Sequence, residues 1–286
     1  MAGSNFISKS VSFKDVILNG GLNSTAGPLA LQDTESSDLQ NIDYNKFGSI
    51  LKRSGYLNLN VVATSGTNLQ GDGLHWYELT SGGNYKSFAI KVSGGAVYSM
   101  PGSLTGTWTA ITGDALTATN ACRFVNWSNK VYFTNGVDVP RSWSGTGTAT
   151  NMAVPSGLTT AKTIAQFNNY LLLGNVTVSS VAYPTRIYFS NLNTDATWDN
   201  ADWISVSTND GQEITGLEVL SDRLVVFKTR SIYNVFFSGD ADIPFIMPGG
   251  GRSNSTVGSI APNSIQEVEN GIVFLVLFII FIFFSI

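Results

Sequence analysis

Short runs of alternating apolar and polar residues recur from residue 74 to residue 274, and polar turn residues separate each pair of runs. Runs of this kind, rich in Val, Ile, Tyr, Phe and Trp, predict β-strands, and a short turn between two of them predicts a β-hairpin. The predicted hairpins pair residues 74–79 with 86–92, 123–127 with 131–133, 164–167 with 170–173, 217–220 with 224–227, and 265–268 with 272–274. Further strands are predicted at 96–100, 185–190, 203–206 and 232–237. The chain is therefore expected to be all-β.

The predicted hairpin turns fall at regular intervals along the chain. Turns centred near residues 82, 128, 168, 221 and 269 are separated by about 40 to 53 residues, the length of a four-stranded propeller blade. This spacing favours a β-propeller-like repeat of antiparallel sheets over residues 71–271. A β-sandwich with evenly spaced strands is the alternative.

Residues 1–70 differ from the rest of the chain, because turn signals break up apolar stretches that are too short for an ordinary helix. They are interpreted as an extended N-terminal arm. Within it, residues 33–42 could form a single helical turn, with Asp33 or Ser36 as its cap.

The arm from Asn19 to Tyr56, NGGLNSTAGPLALQDTESSDLQNIDYNKFGSILKRSGY, resembles the opening of tailed-bacteriophage virion proteins that have a propeller fold. The matching positions expected to form an assembly arm are Gly20, Gly21, Leu22, Asn23, Pro28, Leu29, Asp38, Gln40, Asn41, Lys52, Arg53 and Tyr56. Lys52 and Arg53 by themselves are more typical of a solvated pair.

The resemblance implies a structural component of the phage particle, in the tail or at the head-to-tail junction. Such a protein acts by protein–protein assembly, so the expected partners are other virion proteins and further copies of this chain in a homo-oligomeric ring. The expected location is the virion, after assembly in the host cytoplasm.

Residues 272–286 are almost wholly apolar and form a third segment, the C-terminal tail. Three interpretations are open. The preferred one is a frameshift after about Leu275, which would make the chain a truncated form of a longer protein. The others are a membrane anchor, for which the run is short, and a native buried strand, which continues the hairpin pattern. A membrane is an expected partner only if the tail is a true anchor, and a membrane-tethered surface protein is the corresponding function.

Composition excludes several classes of partner. Only 13% of the residues are charged and the net charge is -4, with no basic stripe to neutralise a phosphate backbone, so direct nucleic-acid binding is not expected. The single cysteine and single histidine exclude an internal disulfide framework and a multi-histidine metal cluster. The first residues lack the apolar core of a signal peptide.

The chain is expected not to be an enzyme and to need no cofactor, because it lacks the common nucleophile, metal and phosphate-loop motifs. His75 and Cys122 are interpreted as an ordinary strand residue and a small packed side chain.

The alternative function is a carbohydrate-binding or glycan-degrading propeller. Its candidate contacts are carboxylates interleaved with indoles, at Asp195, Trp198, Asp199, Asp202 and Trp203, because such groups can hydrogen-bond and stack on a sugar. Asp240 and Asp242 could ligate calcium, but two carboxylates fall short of the ligand number that calcium needs.

Overall fold

The structure is a computed structural model that describes residues 21–22, 30–32, 35–36, 42–44, 50–52, 71–254, 256–269, 271–276 and 279–284. It is all-β, as predicted. The chain forms two compact units, Met1–Asn58 and Leu59–Ile286.

The described part of the first unit consists of short strands. β1 (Gly21–Leu22) pairs in parallel with β2 (Glu35–Ser36), and β3 (Ile42–Tyr44) pairs in antiparallel fashion with β4 (Ile50–Lys52). Of the predicted assembly residues, Gly21, Leu22 and Lys52 lie in these strands. The others lie outside the described residues: Gly20, Asn23, Pro28, Leu29, Asp38, Gln40, Asn41, Arg53 and Tyr56.

The helical turn expected at residues 33–42 is wrong at Glu35 and Ser36, which form a strand. A tight turn does precede them, because the Glu35 N–H donates to the Gln32 carbonyl oxygen and the Glu35 carboxylate accepts from the Gln32 N–H. In this strand, backbone groups of β2 pair with β1 instead of forming the hydrogen bonds of a helix.

In the second unit, the described strands form five successive antiparallel sheets, here numbered I to V, and the strands within each sheet follow chain order. Sheet I contains β5 (Gly71–Ser81), β6 (Asn84–Ser93), β7 (Ala96–Pro101) and β8 (Thr109–Ala110). Sheet II contains β9 (Arg123–Trp127), β10 (Lys130–Thr134), β11 (Arg141–Trp143) and β12 (Thr150–Asn151). Sheet III contains β13 (Leu158–Phe167), β14 (Tyr170–Val178), β15 (Val181–Phe189) and β16 (Trp203–Ser205).

Sheet IV contains β17 (Ile214–Leu220), β18 (Arg223–Lys228), β19 (Ile232–Phe237) and β20 (Phe245–Ile246), with β21 (Arg252–Asn254) also paired to β19. Sheet V contains β22 (Gln266–Val268), β23 (Gly271–Val276) and β24 (Ile279–Phe284). Two single 3₁₀ turns, Pro248–Gly250 and Pro262–Ser264, lie in the connections. All five predicted hairpins are present.

Each sheet packs against the next one along the chain, because alternate residues of a strand point to opposite faces. On β10, Val131 and Phe133 belong to the core between sheets I and II, whereas Tyr132 belongs to the core between sheets II and III. Separate buried clusters likewise join sheet III to sheet IV and sheet IV to sheet V. A succession of small sheets, each packed on its neighbours, is a β-propeller-like repeat and differs from the two layers of a sandwich.

The first part of the C-terminal tail lies within this repeat. Ile272 and Phe274 are buried with Phe227 and Ile265 in the cluster between sheets IV and V. β23 pairs with β24 from Gly271↔Phe284 to Val276↔Ile279. Ile272 and Phe274 precede the frameshift point expected after about Leu275, so their burial fits both the buried-strand and the frameshift interpretations. Over the described residues, no helix is long and apolar enough to cross a membrane.

Candidate functional site

A cavity of the second unit with a volume of about 560 Å³ lies where the first strands of sheets I to IV meet the segment that enters sheet V. Two glycines allow these strands to approach closely. A Cβ atom on Gly73 of β5 would lie 2.7 Å from the Phe124 ring of β9, and one on Gly216 of β17 would lie 2.4 Å from the Ile265 side chain. Because both contacts are below 3.0 Å, a side chain at either position would displace the neighbouring Phe124 or Ile265 side chain, so the two glycines favour this close packing.

We call this space the axial cavity, because the first strands of four sheets converge on it. His75 lies on its wall. Its ring stacks on Phe124 with a centroid distance of 5.1 Å, and its Nε2 is 2.9 Å from Asn126 Oδ1. The Asn126 amide nitrogen donates to the Trp76 carbonyl oxygen, which fixes Asn126 Oδ1 as the acceptor toward the histidine. Burial lowers the pKa of His75, against the opposing effect of the Asn126 hydrogen bond. The His75 ring is therefore neutral, and it donates a structural hydrogen bond to Asn126 Oδ1.

Cys122 lies beside the same cavity and is buried. Burial raises the pKa of its thiol to about 12, and the carboxylates of Asp72 and Asp138 add to this effect. Because the thiolate is the nucleophilic form, the Cys122 thiol is a poor nucleophile at neutral pH. This agrees with its interpretation as a packed side chain.

Two charged groups also line the axial cavity. Burial and, to a smaller extent, the nearby Glu267 carboxylate together raise the pKa of Glu218 to about 7, against the opposing effect of Arg123. Burial also lowers the pKa of Arg123. The cavity thus holds a cation and a titrating carboxyl in a partly desolvated space, which is suited to polar binding.

A second, smaller cleft lies between the outer ends of sheets III and IV and has a volume of about 330 Å³. Its floor is aromatic: Tyr170, Phe189 and Phe245 pack on one another with centroid distances of 5.0 to 6.1 Å, and Phe237 packs on Tyr170 at 6.2 Å. Phe237 is the exposed member of the group, at 39%. We call this site the acidic cleft, because the carboxylates of Asp199, Asp202 and Asp240 line it.

The structure brings two of the five predicted glycan contacts, Asp199 and Asp202, into the acidic cleft. Asp195 instead accepts a hydrogen bond from Lys130 Nζ at 2.6 Å, in an ion pair between sheets II and III. The Trp198 ring packs against the core between these sheets, and its Nε1 donates to the Asp195 carbonyl oxygen.

Trp203 contacts the Arg186 guanidinium, which was not predicted from the sequence as part of this site. The Arg186 guanidinium lies 3.8 Å from the centroids of both the Trp203 and the Tyr183 rings, so it is sandwiched between them. One face of the Trp203 indole is therefore covered. Tyr183, Arg186 and Tyr188 lie close together on one strand, but the partner strand that carries Trp203 could not be placed from the sequence without the register.

Asp240 and Asp242 do not converge on a shared ligand. Asp240 Oδ1 accepts from the backbone N–H groups of Asp242 and Ile243, at 2.8 and 3.2 Å, and thereby closes the turn between β19 and β20. Among the described residues, no group of three or more His, Cys, Asp or Glu side chains is placed to hold a metal ion.

No protein-family model matches the chain, and no curated protein sequence matches it. Among solved structures, the chain is similar to the computationally designed Ika4 protein, with 15% identity over 63% of this chain and 99% of that chain and a TM-score of 0.39. It is also similar to the computationally designed Ika8 protein, with 14% identity over 69% of this chain and 54% of that chain and a TM-score of 0.39. A third similar structure is the AfRom2 CNH domain, with 10% identity over 87% of this chain and 70% of that chain and a TM-score of 0.41.

Proposed function

We propose that this chain is a structural component of a tailed-phage particle, in the tail or head-to-tail junction, and that it acts by protein–protein assembly. The sequence resemblance of the arm supports the phage setting. The observation that carries the assembly role is the exposed apolar surface of sheet I.

Three large side chains project from one face of sheet I. Leu74 and Trp76 alternate on β5, and Tyr85 shares their face because it pairs with Thr80. Their exposed fractions are 73%, 41% and 64%. The opposite face of β5 contributes Tyr77 and Leu79 to the core with sheet II. A row of exposed apolar and aromatic groups on a rigid strand is typical of a protein contact surface.

The chemistry of the axial cavity supports a non-catalytic role. Its thiol is protonated, its histidine is neutral and bonded to Asn126, and its glutamate lies beside an arginine. A catalytic nucleophile needs an adjacent base that activates it, and neither His75 nor Glu218 forms a hydrogen bond with Cys122 in the described part of the chain. The proposed function therefore includes no enzymatic step and no cofactor.

The direct test is the protein content of particles. Tailed particles from cells that express the gene are purified on a density gradient, and their peptides are identified by mass spectrometry. The proposal predicts that this chain co-purifies with the particles and that antibody labelling places it on the tail or at the neck. Its presence in the cell lysate together with its absence from intact particles would contradict the proposal.

Carbohydrate binding is a second candidate, favoured by the position of Asp199 and Asp202 beside the exposed Phe237 ring. The engagement of Asp195, Trp198 and Trp203 elsewhere leaves this cleft with fewer sugar contacts than the sequence suggested. A glycan array distinguishes the two functions, because this candidate requires binding of a defined sugar that Phe237→Ala abolishes.

A further inference from the structure

The acidic cleft carries negative charge, and no described residue that lines it is a compensating cation. Asp199, Asp202 and Asp240 line it, Asp242 lies on the same β19–β20 turn, and no Lys or Arg is among the lining residues. Within the described residues, none of these four carboxylates forms an ion pair. Burial raises the pKa of Asp202, and the neighbouring Asp199 carboxylate raises it further. A bound cation would relieve this repulsion.

The rim of the same cleft is apolar. Phe237 and Leu192 line it with large exposed fractions, and Ile243 is exposed on the adjoining turn. The turn is well braced, because the Ser238 N–H donates to the Pro244 carbonyl oxygen and Asp240 caps two backbone N–H groups. The cleft is thus a preformed surface for a segment that combines positive charge with apolar side chains.

The chain contains a segment of this composition in its first unit. Residues 44–58, YNKFGSILKRSGYLN, carry Lys46, Lys52 and Arg53 and no Asp or Glu. The same stretch supplies Phe47, Ile50, Leu51, Tyr56 and Leu57. Its described part includes β4, which pairs with β3 as a hairpin.

We propose that the acidic cleft of one copy binds the basic segment 44–58 of a second copy. The contact pairs the unneutralised carboxylates with Lys52 and Arg53 and covers the exposed Phe237 with apolar side chains of the segment. This inference rests on the proposed assembly function, since it names the surfaces through which one copy recognises the next.

The test uses two full-length variants, each with one added cysteine. Ser54→Cys places a thiol next to Lys52 and Arg53 without removing either charge, and Ala241→Cys places one in the cleft wall. The native Cys122 is buried and its pKa is raised, so it does not compete. The two variants, of which one carries a size tag, are mixed under mild oxidation, and the mixed disulfide is quantified on a non-reducing gel.

The inference predicts a mixed disulfide that falls at least about tenfold when the cleft copy also carries Asp199→Asn, Asp202→Asn and Asp240→Asn, and that weakens as salt rises. A matched control replaces Asp114, Asp222 and Glu269 by their amides, which changes the charge equally away from the cleft and should leave the yield unchanged. A second control moves the cleft cysteine to Val137, which is exposed in the connection between β10 and β11, and should give little product.

Equal product from Ala241→Cys and Val137→Cys, or product insensitive to the cleft amides, would overturn the inference. A chain that carries both Ser54→Cys and Ala241→Cys provides a further test. If it forms a disulfide within single chains at high dilution, the segment that occupies the cleft comes from the same copy, and the inference is also overturned. If the mixed disulfide does not form but the chain is still found in particles, the proposed function stands and only this contact is removed.

Discussion

The ionisation of Glu218, which lines the axial cavity, makes the folding stability depend on pH. Burial and the Glu267 carboxylate raise the pKa of Glu218 from 4.5 to about 7. The folded chain therefore binds this proton more tightly than the unfolded chain does, and folding stability falls as the pH rises from about 4.5 to about 7. Glu213, just before β17, has the opposite behaviour, because its hydrogen bond with Lys162 lowers its pKa.

Glu218→Gln should raise the free energy of unfolding at pH 8 by about 2 kcal/mol and have little effect at pH 5, because it removes the cost of ionising a buried carboxyl. Denaturant unfolding at several pH values measures the change. The control Glu213→Gln should lower stability at pH 8, and this loss should disappear as the pH falls below 4.5. A Glu218→Gln gain of equal size at pH 5 and pH 8 would show that titration is not its cause.

The buried pair of Lys228 and Asp210 is a second residue-scale determinant. Lys228 has no exposed side-chain surface, and its Nζ donates to both Asp210 carboxylate oxygens, at 2.8 and 2.9 Å, and to the Ser207 carbonyl oxygen. The Tyr233 hydroxyl also donates to Asp210. Burial lowers the pKa of Lys228, against the effect of Asp210.

Asp210→Asn should destabilise the chain by about 3 kcal/mol, because it leaves the buried ammonium group without a counter-charge. Asp222→Asn, which breaks the exposed contact with Arg223, should cost less than about 1 kcal/mol. Thermal unfolding of the two variants gives the comparison. Equal costs would mean that the Lys228 pair is not buried as described.

At the scale of the element, hairpins were the most predictable feature, because their turns have a definite chemistry. Ser128 and Asn129, and likewise Asn168 and Asn169, all have positive φ values between 46° and 61°, as the tight turns of two-residue hairpins require. The short strand β16 and the Arg186 sandwich were harder to predict, because they depend on register between distant segments. For the same reason the loop sequence around Asp195 did not reveal its pairing with Lys130, a residue of another sheet.

Sheet V provides a prediction at this level, since its central strand β23 contains the first residues of the C-terminal tail. Phe274→Ala should destabilise the chain by about 3–5 kcal/mol, because the ring is buried against Phe227 at a centroid distance of 5.0 Å. Val268→Ala, on the neighbouring strand and 42% exposed, should change stability by less than about 0.5 kcal/mol. Denaturant unfolding tests both. If Phe274→Ala is as mild as Val268→Ala, the Phe274 ring is not buried as described and β23 is not a core strand.

At the largest scale, successive sheets of the second unit bury a core on each shared face, and apolar groups of the described residues are exposed on the Leu74 face of sheet I and at the rim of the acidic cleft, among other places. Sheet order was predictable from the repeat length of the hairpins. The acidic cleft was not, because it combines a loop before β16 with the turn after β19. These surfaces are where we expect one copy to meet its partners.

Sedimentation velocity of the purified full chain over a wide concentration range tests the assembly claim most directly. Assembly through sheet I predicts discrete oligomers of increasing population, and a decrease in oligomer size when Leu74, Trp76 and Tyr85 are all changed to Ser with the fold retained by circular dichroism. A matched variant with Val137, Val181 and Ile260 changed to Ser should assemble like the native chain, because those exposed side chains lie outside sheet I. A native chain that remains monomeric at every concentration, in the absence and presence of partner virion proteins, would contradict the account.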